Sequence, residues 1–202
     1  FMLIRKPDGS FAAIDGRETA PLKASHDMYL RDGKAKPELS RTGALAIGVP
    51  GALAAYDLAI RDHGNLSLAK HLGQAATIAE QGFELDDAYL GRVGSVVKKL
   101  RNFTDSARIF LDANGNAWPS GHRLQQSDLA KSYRSIARRS VDWFYRGPFA
   151  LKTEQWMNAN GGLMIRNDFA HYEAKRREPV RTTYRGHEIV GFPPPSSGGV
   201  HV

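Results

Sequence analysis

The chain has 202 residues, of which 42% are hydrophobic and 24% are charged, and its formal net charge is +7. This length and composition are typical of a globular protein with one generous domain, and the basic balance permits anionic partners without requiring them. The absence of cysteine excludes disulfides, thiolate catalysis and cysteine-based zinc sites, and no apolar run reaches the length of a membrane span.

The first residues predict two strands joined by a turn. Residues 1–5 and 11–14 are apolar runs, and the Pro7-Asp8-Gly9 sequence between them is a turn signal. We therefore expect both strands to contribute to a sheet.

Helical patterns dominate the middle of the chain. Six helices are predicted, and they begin after Gly51, after Ser67, at Asp86-Asp87, after Ser127, at Pro148, and at either Asn167 or Asp168. Gly64 and Gly82 are the predicted stops of the first two. Residues 102–126 are rich in turn signals and predict a loop, and residues 182–192 predict a hairpin around Arg185-Gly186.

Most chemical groups of the chain form no recognisable constellation. The histidines at positions 26, 63, 71, 122, 171, 187 and 201 are scattered without metal-binding spacing. Basic clusters occur at Lys98-Lys99, Arg138-Arg139 and Lys175-Arg176-Arg177, placed on predicted helices or their ends. A nucleic-acid groove would need stacking aromatics beside this charge, so neither a metal site nor nucleic-acid binding is predicted.

The stretch "IDGRETAP" carries a candidate binding residue. A strand ending near Ile14 would expose Arg17 at its tip, where the planar guanidinium could bind a carboxylate through two donors. The alternative is a surface ion pair of Arg17 with Asp15 or Glu18, which spacing alone favours.

Several stretches, taken in order, resemble one known family. They are "FMLI", "IDGRETAP", "GVPG", "EQGF", "FYRGPFA", "NGGLMIRNDFAHY" and "YRGHEIVGFPPPSSGGVHV". Together they resemble the large-subunit region of the γ-glutamyltransferase (γ-glutamyltranspeptidase) family across essentially the whole chain. The most specific pieces are PPPSSGG preceded by Tyr-Arg-Gly, and Asp-x-Arg-Glu-x-Ala-Pro.

The resemblance implies an α+β fold, part of the four-layered αββα sandwich of the N-terminal-nucleophile hydrolases. It implies a single large-subunit segment over residues 1–202, truncated at both ends. The expected layout is core strands in residues 1–20, a helical layer in residues 48–175, and the hairpin with the PPPSSGG turn in residues 181–202. In the family, further helices and the cleavage site follow PPPSSGG.

The implied function is cleavage or transfer of γ-glutamyl groups, as from glutathione, through an acyl-enzyme. The nucleophile is the N-terminal Thr of a small subunit cut from the same precursor, so we expect no catalytic residue in this chain. The threonines at positions 19, 42, 77, 104, 153, 182 and 183 do not lie in the family's cleavage context. The resemblance assigns Arg17 to the α-carboxylate of the γ-glutamyl group and a structural role to residues 193–199.

Two alternatives remain open on these residues. A relative of the same fold could act on glutaryl-type cephalosporin side chains or on poly-γ-glutamate, because those substrates also carry carboxylates. If the gene ends at Val202, the chain would be a non-catalytic interaction protein. Sequencing the gene beyond that residue would decide between the two. The resemblance implies no cofactor or metal, the small catalytic subunit as partner, and a periplasmic or secreted location.

Overall fold

The computed structural model describes residues 1–201. The chain divides into two compact units, one joining Phe1–Leu68 to the segment that starts at Arg139, and the other formed by Ala69–Arg138. Within the described residues, no helix combines the length and the apolar character needed to cross a bilayer.

Short strands and longer helices follow one another along the chain. The strands are β1 Met2–Arg5, β2 Phe11–Asp15, β3 Leu30–Arg31, β4 Lys34–Ala35, β5 Phe83–Glu84, β6 Arg123–Leu124, β7 Lys175–Arg177, β8 Val180–Tyr184 and β9 His187–Gly191. The helices are α1 Ala52–His63, α2 Leu68–Gln81, α3 Asp87–Leu100, α4 Thr104–Phe110, α5 Ser127–Arg139, α6 Asp142–Tyr145, α7 Pro148–Ala159 and α8 Arg166–Ala170. Single 3-10 turns cover Pro37–Ser40 and Ala44–Ala46.

The two predicted N-terminal strands form an antiparallel pair. Gly9 adopts φ +83° in the turn, where the amide of Lys6 donates to the carbonyl of Ser10 over 2.8 Å. β1 pairs with β2 from Met2 opposite Ile14 onward, and β7 joins the other edge of β2. The strands are therefore part of a sheet of order β1-β2-β7 and not an isolated hairpin.

Helix α1 covers one face of this sheet. Ile14 of β2 packs against Ala55 and Leu58 of α1, and all three are buried. α1 ends where predicted, at Gly64, whose backbone amide donates a hydrogen bond to the carbonyl of Ile60. This contact places the end of β2, and hence the residues after it, over the first turns of α1.

A second cluster of the first unit is aromatic. Phe144, Tyr145, Phe149 and Phe169 come from α6, α7 and α8, and their ring centroids lie 4.2–6.5 Å apart. α7 starts at Pro148 as predicted, with proline in its first turn. The short helix after it begins at Arg166, earlier than the sequence suggested, and Asp168 in its first turn accepts from the amide of Ile165.

The C-terminal part of the first unit is a hairpin followed by the proline-rich turn. β8 and β9 pair from Val180 opposite Gly191 to Tyr184 opposite His187. The predicted two-residue loop has φ +49° at Arg185 and φ +79° at Gly186, the pattern of a type I′ turn. Beyond it the backbone of Gly199 lies so close to Gly191 that an added Cβ on Gly191 would sit 2.6 Å from the Cα of Gly199.

The second unit is helical. Its core contains Ala76 and Ala79 of α2 and Ala130 of α5, and small side chains there allow close helix packing. α2 closes at Gly82 with φ +78°, and the Asp86 side chain caps α3 by accepting from the amide of Tyr89 over 2.8 Å.

The loop prediction for residues 102–126 is partly wrong. Residues Thr104–Phe110 form α4, a helix of seven residues whose N-cap, Phe103, makes no side-chain capping bond. Tertiary contacts stabilise it instead, since the Trp118 indole donates to the carbonyl of Ile109 over 3.2 Å and Leu111 is buried directly after the helix. α6 was likewise not predicted, because four residues give no periodicity to recognise.

Candidate functional site

Arg17 lies just beyond the end of β2, at the strand tip that the sequence predicted. β2 ends at Asp15, and Gly16 separates the strand from Arg17. The Arg17 side chain is 53% exposed, and its Nε lies 3.0 Å from Oε1 of Glu18. The ion pair expected under the alternative interpretation is therefore present, but an exposed pair of this kind contributes at most about 1 kcal/mol. The guanidinium remains accessible to a ligand.

Asp15 is buried and links Arg17 to β7. Only 5% of Asp15 is exposed. Its Oδ1 accepts from the backbone amide of Arg17 over 2.9 Å, and its Oδ2 accepts from Nε and Nη2 of Arg177 over 3.0 and 2.8 Å. Burial acts to raise the pKa of Asp15, but the bonds from the Arg17 amide and Arg177 outweigh it, and the pKa is lowered overall. The Asp15 carboxylate therefore joins the backbone amide of Arg17 to the side chain of Arg177.

Tyr172 holds the other side of the same peptide. Its hydroxyl donates to the carbonyl oxygen of Arg17 over 2.7 Å. Its ring stacks on Tyr145 with centroids 5.9 Å apart and planes 11° apart. Partial burial, and then the charges of Asp15 and Glu18, raise the pKa of Tyr172. The hydroxyl therefore stays protonated and remains a donor near neutral pH.

The stack behind Tyr172 is anchored in turn. The Tyr145 hydroxyl donates to the carbonyl of Pro50 over 2.9 Å and accepts from the amide of Ala54 over 3.0 Å. Burial raises the pKa of Tyr145 to about 12. Because Pro50 and Ala54 flank the start of α1, the Tyr145 hydroxyl joins the GVPG turn to the first turn of this helix.

Two glycines make this close packing possible. A Cβ on Gly16 would lie 2.6 Å from the Cβ of Ala55 and 3.0 Å from the carbonyl oxygen of Gly51. A Cβ on Gly51 would overlap the hydroxyl of Tyr172. On the far side, Thr19 and Val49 exchange backbone hydrogen bonds of 3.3 and 2.8 Å. The backbone from Asp15 to Thr19 is thus fixed at several points.

Two cavities flank Arg17, Glu18 and Thr19. One, of about 280 Å³, continues along mainly apolar side chains, among them Met28, Tyr29 and Ile47. The other, of about 150 Å³, is lined by charged groups, with Asp15, Lys175 and Arg177 among them, and by Pro195. The fold thus brings Pro195 of the PPPSSGG turn to the same cavity as Arg17, and a small anionic molecule would find a guanidinium at its wall.

The basic cluster nearest to Arg17 is held mainly by ion pairs. The cluster at Lys175–Arg177 is the strand β7 and not a helix end, and its arginines pair with acids, Arg176 with Asp62 and Arg177 with Asp15. Alternation along a strand places neighbouring side chains on opposite faces, which lets each arginine meet a different acid. In the described part of the chain, no three His, Cys, Asp or Glu side chains converge to hold a metal ion.

Sequence reasoning found Arg17 but missed the residues around it. The sequence patterns predict no role for Tyr172, and for Asp15 only a possible surface ion pair. Asp168, interpreted as a helix cap, also accepts from the distant amide of Leu22 over 2.8 Å. The bonds Asp168–Leu22, Tyr172–Arg17 and Asp15–Arg177 each join residues more than 140 positions apart, so no local sequence pattern predicts them. The one available signal is an aspartate at the end of an apolar strand, since aspartate is seldom buried without a partner.

Comparison with solved structures identifies the fold. The crystal structure of gamma-glutamyltranspeptidase from Helicobacter pylori matches 99% of this chain with a TM-score of 0.94 and 33% sequence identity. The mixed helix and sheet arrangement is therefore that of the N-terminal-nucleophile hydrolases, which confirms the predicted fold class.

Sequence comparison identifies the family. The protein-family model described as Gamma-glutamyltranspeptidase matches residues 1–202. The glutathione hydrolase proenzyme of Escherichia coli (strain K12) is 42% identical over the whole chain. The "Acylase ACY 1 proenzyme" of Pseudomonas sp. (strain SE83) is 39% identical over 98% of the chain. The chain belongs to the γ-glutamyltranspeptidase family, as its motifs suggested.

The match covers only part of these relatives. The chain spans 35% of the length of the Escherichia coli proenzyme, 37% of the acylase proenzyme and 58% of the Helicobacter pylori chain. The chain therefore corresponds to one portion of these relatives.

Proposed function

We propose that the chain is the large-subunit part of a γ-glutamyltransferase or glutathione hydrolase, and that Arg17 binds the α-carboxylate of the γ-glutamyl donor. The observation that carries this proposal is the half-exposed guanidinium of Arg17 at a cavity wall, on a backbone fixed by Asp15 and Tyr172. A charged donor on a rigid support suits a carboxylate that must be held in one orientation.

The reaction itself requires a group from another part of the precursor. In the proposed mechanism the hydroxyl of an N-terminal Thr attacks the γ-carbonyl carbon, and its proton passes to the α-amino group of the same Thr. The amide C–N bond breaks, and the departing amine takes up that proton. Water or an acceptor amine then attacks the ester, which releases glutamate or a new γ-glutamyl amide and regenerates the Thr.

Arg17 contributes binding and orientation in this scheme. A guanidinium that holds the α-carboxylate fixes one end of the donor, so that the γ-carbonyl at the other end meets the nucleophile in a reproducible geometry. We also propose that residues 1–202 alone do not hydrolyse γ-glutamyl amides, and that the small subunit from the same precursor is the partner. Turnover of a γ-glutamyl anilide by the purified chain, free of full-length enzyme, would disprove this.

A periplasmic or secreted location is proposed from the family resemblance of the motifs. Fractionation of the source cells, with an antibody against the chain, tests it. Recovery of the mature protein in the cytosolic fraction would contradict it.

Arg17→Ala in the processed full-length enzyme tests the carboxylate role. A charge-assisted hydrogen bond contributes about 1.5–3 kcal/mol net, so kcat/KM for γ-glutamyl-p-nitroanilide should fall about 10- to 100-fold or more. Arg17→Lys should recover only part of this, because an ammonium lacks the planar fork. Arg61→Ala is the matched control, since Arg61 is also an exposed arginine paired with one acid, Asp57.

The choice of donors makes this experiment decisive. The 4-aminobutyryl anilide lacks the α-carboxylate, so Arg17→Ala should leave its kcat/KM close to that of the unmodified enzyme. An equal loss on both donors would mean that Arg17 acts through folding or processing, and the proposed role would be wrong.

A glutaryl-specific acylase is the second candidate function, favoured by the 39% identity to an acylase proenzyme. Glutaryl anilide keeps the carboxylate but lacks the α-amino group, so it separates the two. A γ-glutamyltransferase should strongly prefer the γ-glutamyl donor, whereas an acylase of this type should prefer the glutaryl donor. Arg17 is expected to matter for both, because both carry the carboxylate.

A further inference from the structure

The peptide backbone of Arg17 is bonded at both of its polar groups. The amide donates to Oδ1 of Asp15 over 2.9 Å, and the carbonyl accepts from the hydroxyl of Tyr172 over 2.7 Å. The guanidinium of the same residue is about half exposed. Arg17 therefore has a fixed backbone and an accessible side chain.

The two residues that hold this backbone are themselves anchored. Asp15 is buried and paired with Arg177 of β7 over 2.8 Å. The ring of Tyr172 stacks on the ring of Tyr145, which is buried in the aromatic cluster. Motion of the Arg17 backbone would require one of these contacts to break, and the buried Asp15 carboxylate and Tyr145 ring extend the anchor into the core of the first unit.

We infer that Asp15 and Tyr172 are positioning residues that set where the Arg17 guanidinium stands when it binds a substrate carboxylate. The inference rests on the proposed role of Arg17 and deepens it. Neither residue needs to contact the substrate. Each restricts the backbone torsions from which the Arg17 side chain extends, so that fewer orientations of the guanidinium compete with the productive one.

Tyr172→Phe in the processed full-length enzyme tests the carbonyl contact. The ring and its stack on Tyr145 are kept, and only the hydroxyl bond to Arg17 is lost. Since one neutral hydrogen bond is worth a modest net amount, kcat/KM for γ-glutamyl-p-nitroanilide should fall about 3- to 10-fold, mainly through a higher KM. The 4-aminobutyryl anilide, which lacks the α-carboxylate, should be turned over as before.

Tyr145→Phe is the matched control. It removes a hydroxyl from the neighbouring ring of the same stack, but that hydroxyl is bonded to Pro50 and Ala54 and not to Arg17. We expect Tyr145→Phe to lower the thermal unfolding midpoint without changing the preference for the α-carboxylate donor. A purely structural role of Tyr172 would give the same result as this control.

Asp15 provides an independent test through two substitutions. Asp15→Asn keeps an oxygen that can accept from the Arg17 amide, while Asp15→Ala removes it. Both lose the charge opposite Arg177, so both should be less stable. Only Asp15→Ala should lose the donor preference, and it should do so by about 3- to 10-fold, again as expected for one hydrogen bond. This pair decides the inference if the Tyr172→Phe precursor does not fold.

The outcomes separate this inference from the proposed function. If Arg17→Ala loses activity equally on both donors, the carboxylate role of Arg17 is wrong. If Arg17→Ala is selective but Tyr172→Phe keeps the full preference, or if Asp15→Asn and Asp15→Ala show the same preference, only the positioning inference is overturned. In the Arg17→Ala background, the effect of Tyr172→Phe on the donor preference should disappear.

Discussion

Replacing Gly16 by Ala tests how closely the backbone around Arg17, residues 15–19, approaches α1. The new Cβ would lie 2.6 Å from the Cβ of Ala55 and 3.0 Å from the carbonyl oxygen of Gly51. Two carbons in contact are normally about 3.5–4.0 Å apart, so the overlap approaches about 1 Å. Overpacking on this scale costs about 1–3 kcal/mol. We expect the free energy of unfolding to fall by that amount.

The effect should be steric and should depend on Ala55. Ala55→Gly removes the carbon that Gly16→Ala would strike, although glycine in a helix interior costs about 0.8–1.0 kcal/mol by itself. The double variant should therefore be more stable than the sum of the single effects predicts, by about 1 kcal/mol or more.

Urea unfolding followed by circular dichroism measures these differences. Gly73→Ala in α2 is the matched control, because nothing lies within 4 Å of its added Cβ, and alanine there should stabilise the helix by about 0.5–1 kcal/mol. Additive effects of Gly16→Ala and Ala55→Gly would refute the reasoning, since they would show that the two carbons do not meet.

Three further predictions concern the free energy of unfolding. Asp15→Asn should lower this free energy by about 1–3 kcal/mol near pH 7, less than for a fully buried pair, because the side chain of Arg177 is 36% exposed. Since the pKa of Asp15 is lowered on folding, urea titrations should show this difference above about pH 4 and its loss as the pH falls further. Gly186→Ala should cost about 1 kcal/mol, because alanine is strained at φ +79°; an unchanged unfolding midpoint would contradict the turn. Tyr145→Phe should cost about 1–3 kcal/mol in the same assay, since it leaves the Ala54 amide without its acceptor.

Elements with strong local signals could be predicted from the sequence. The Gly9 turn, the Asp86 cap, the Pro148 start and the Arg185-Gly186 loop each depend on residues next to one another in the chain. The family resemblance added the fold class and the assignment of Arg17 on motifs that are likewise contiguous. Such signals can be detected in the sequence because backbone sterics and helix capping act over only a few residues.

The support of Arg17 could not be predicted in the same way. Asp15 meets Arg177 and Tyr172 meets Arg17 only after the chain has returned from the second unit. The sequence around Asp15 and Tyr172 does not indicate their partners, because tertiary packing determines which residues they contact. The helices α4 and α6 were missed because seven and four residues give little periodicity, and isolated helices of this length are not stable without tertiary contacts.

The long sequence separation within this support has a consequence for biosynthesis. Arg17 is translated 155 residues before Tyr172, and Asp15 is translated 162 residues before Arg177. At bacterial and eukaryotic elongation rates of about 5–20 residues per second, the wait lasts roughly 8 to 30 seconds. During that interval β1 and β2 have no β7 beside them, and a two-stranded hairpin is at best marginally stable in water. The β1–β2 segment therefore leaves the ribosome with apolar side chains and an unpaired edge on β2, which makes it a natural site for chaperone binding until β7 is synthesised.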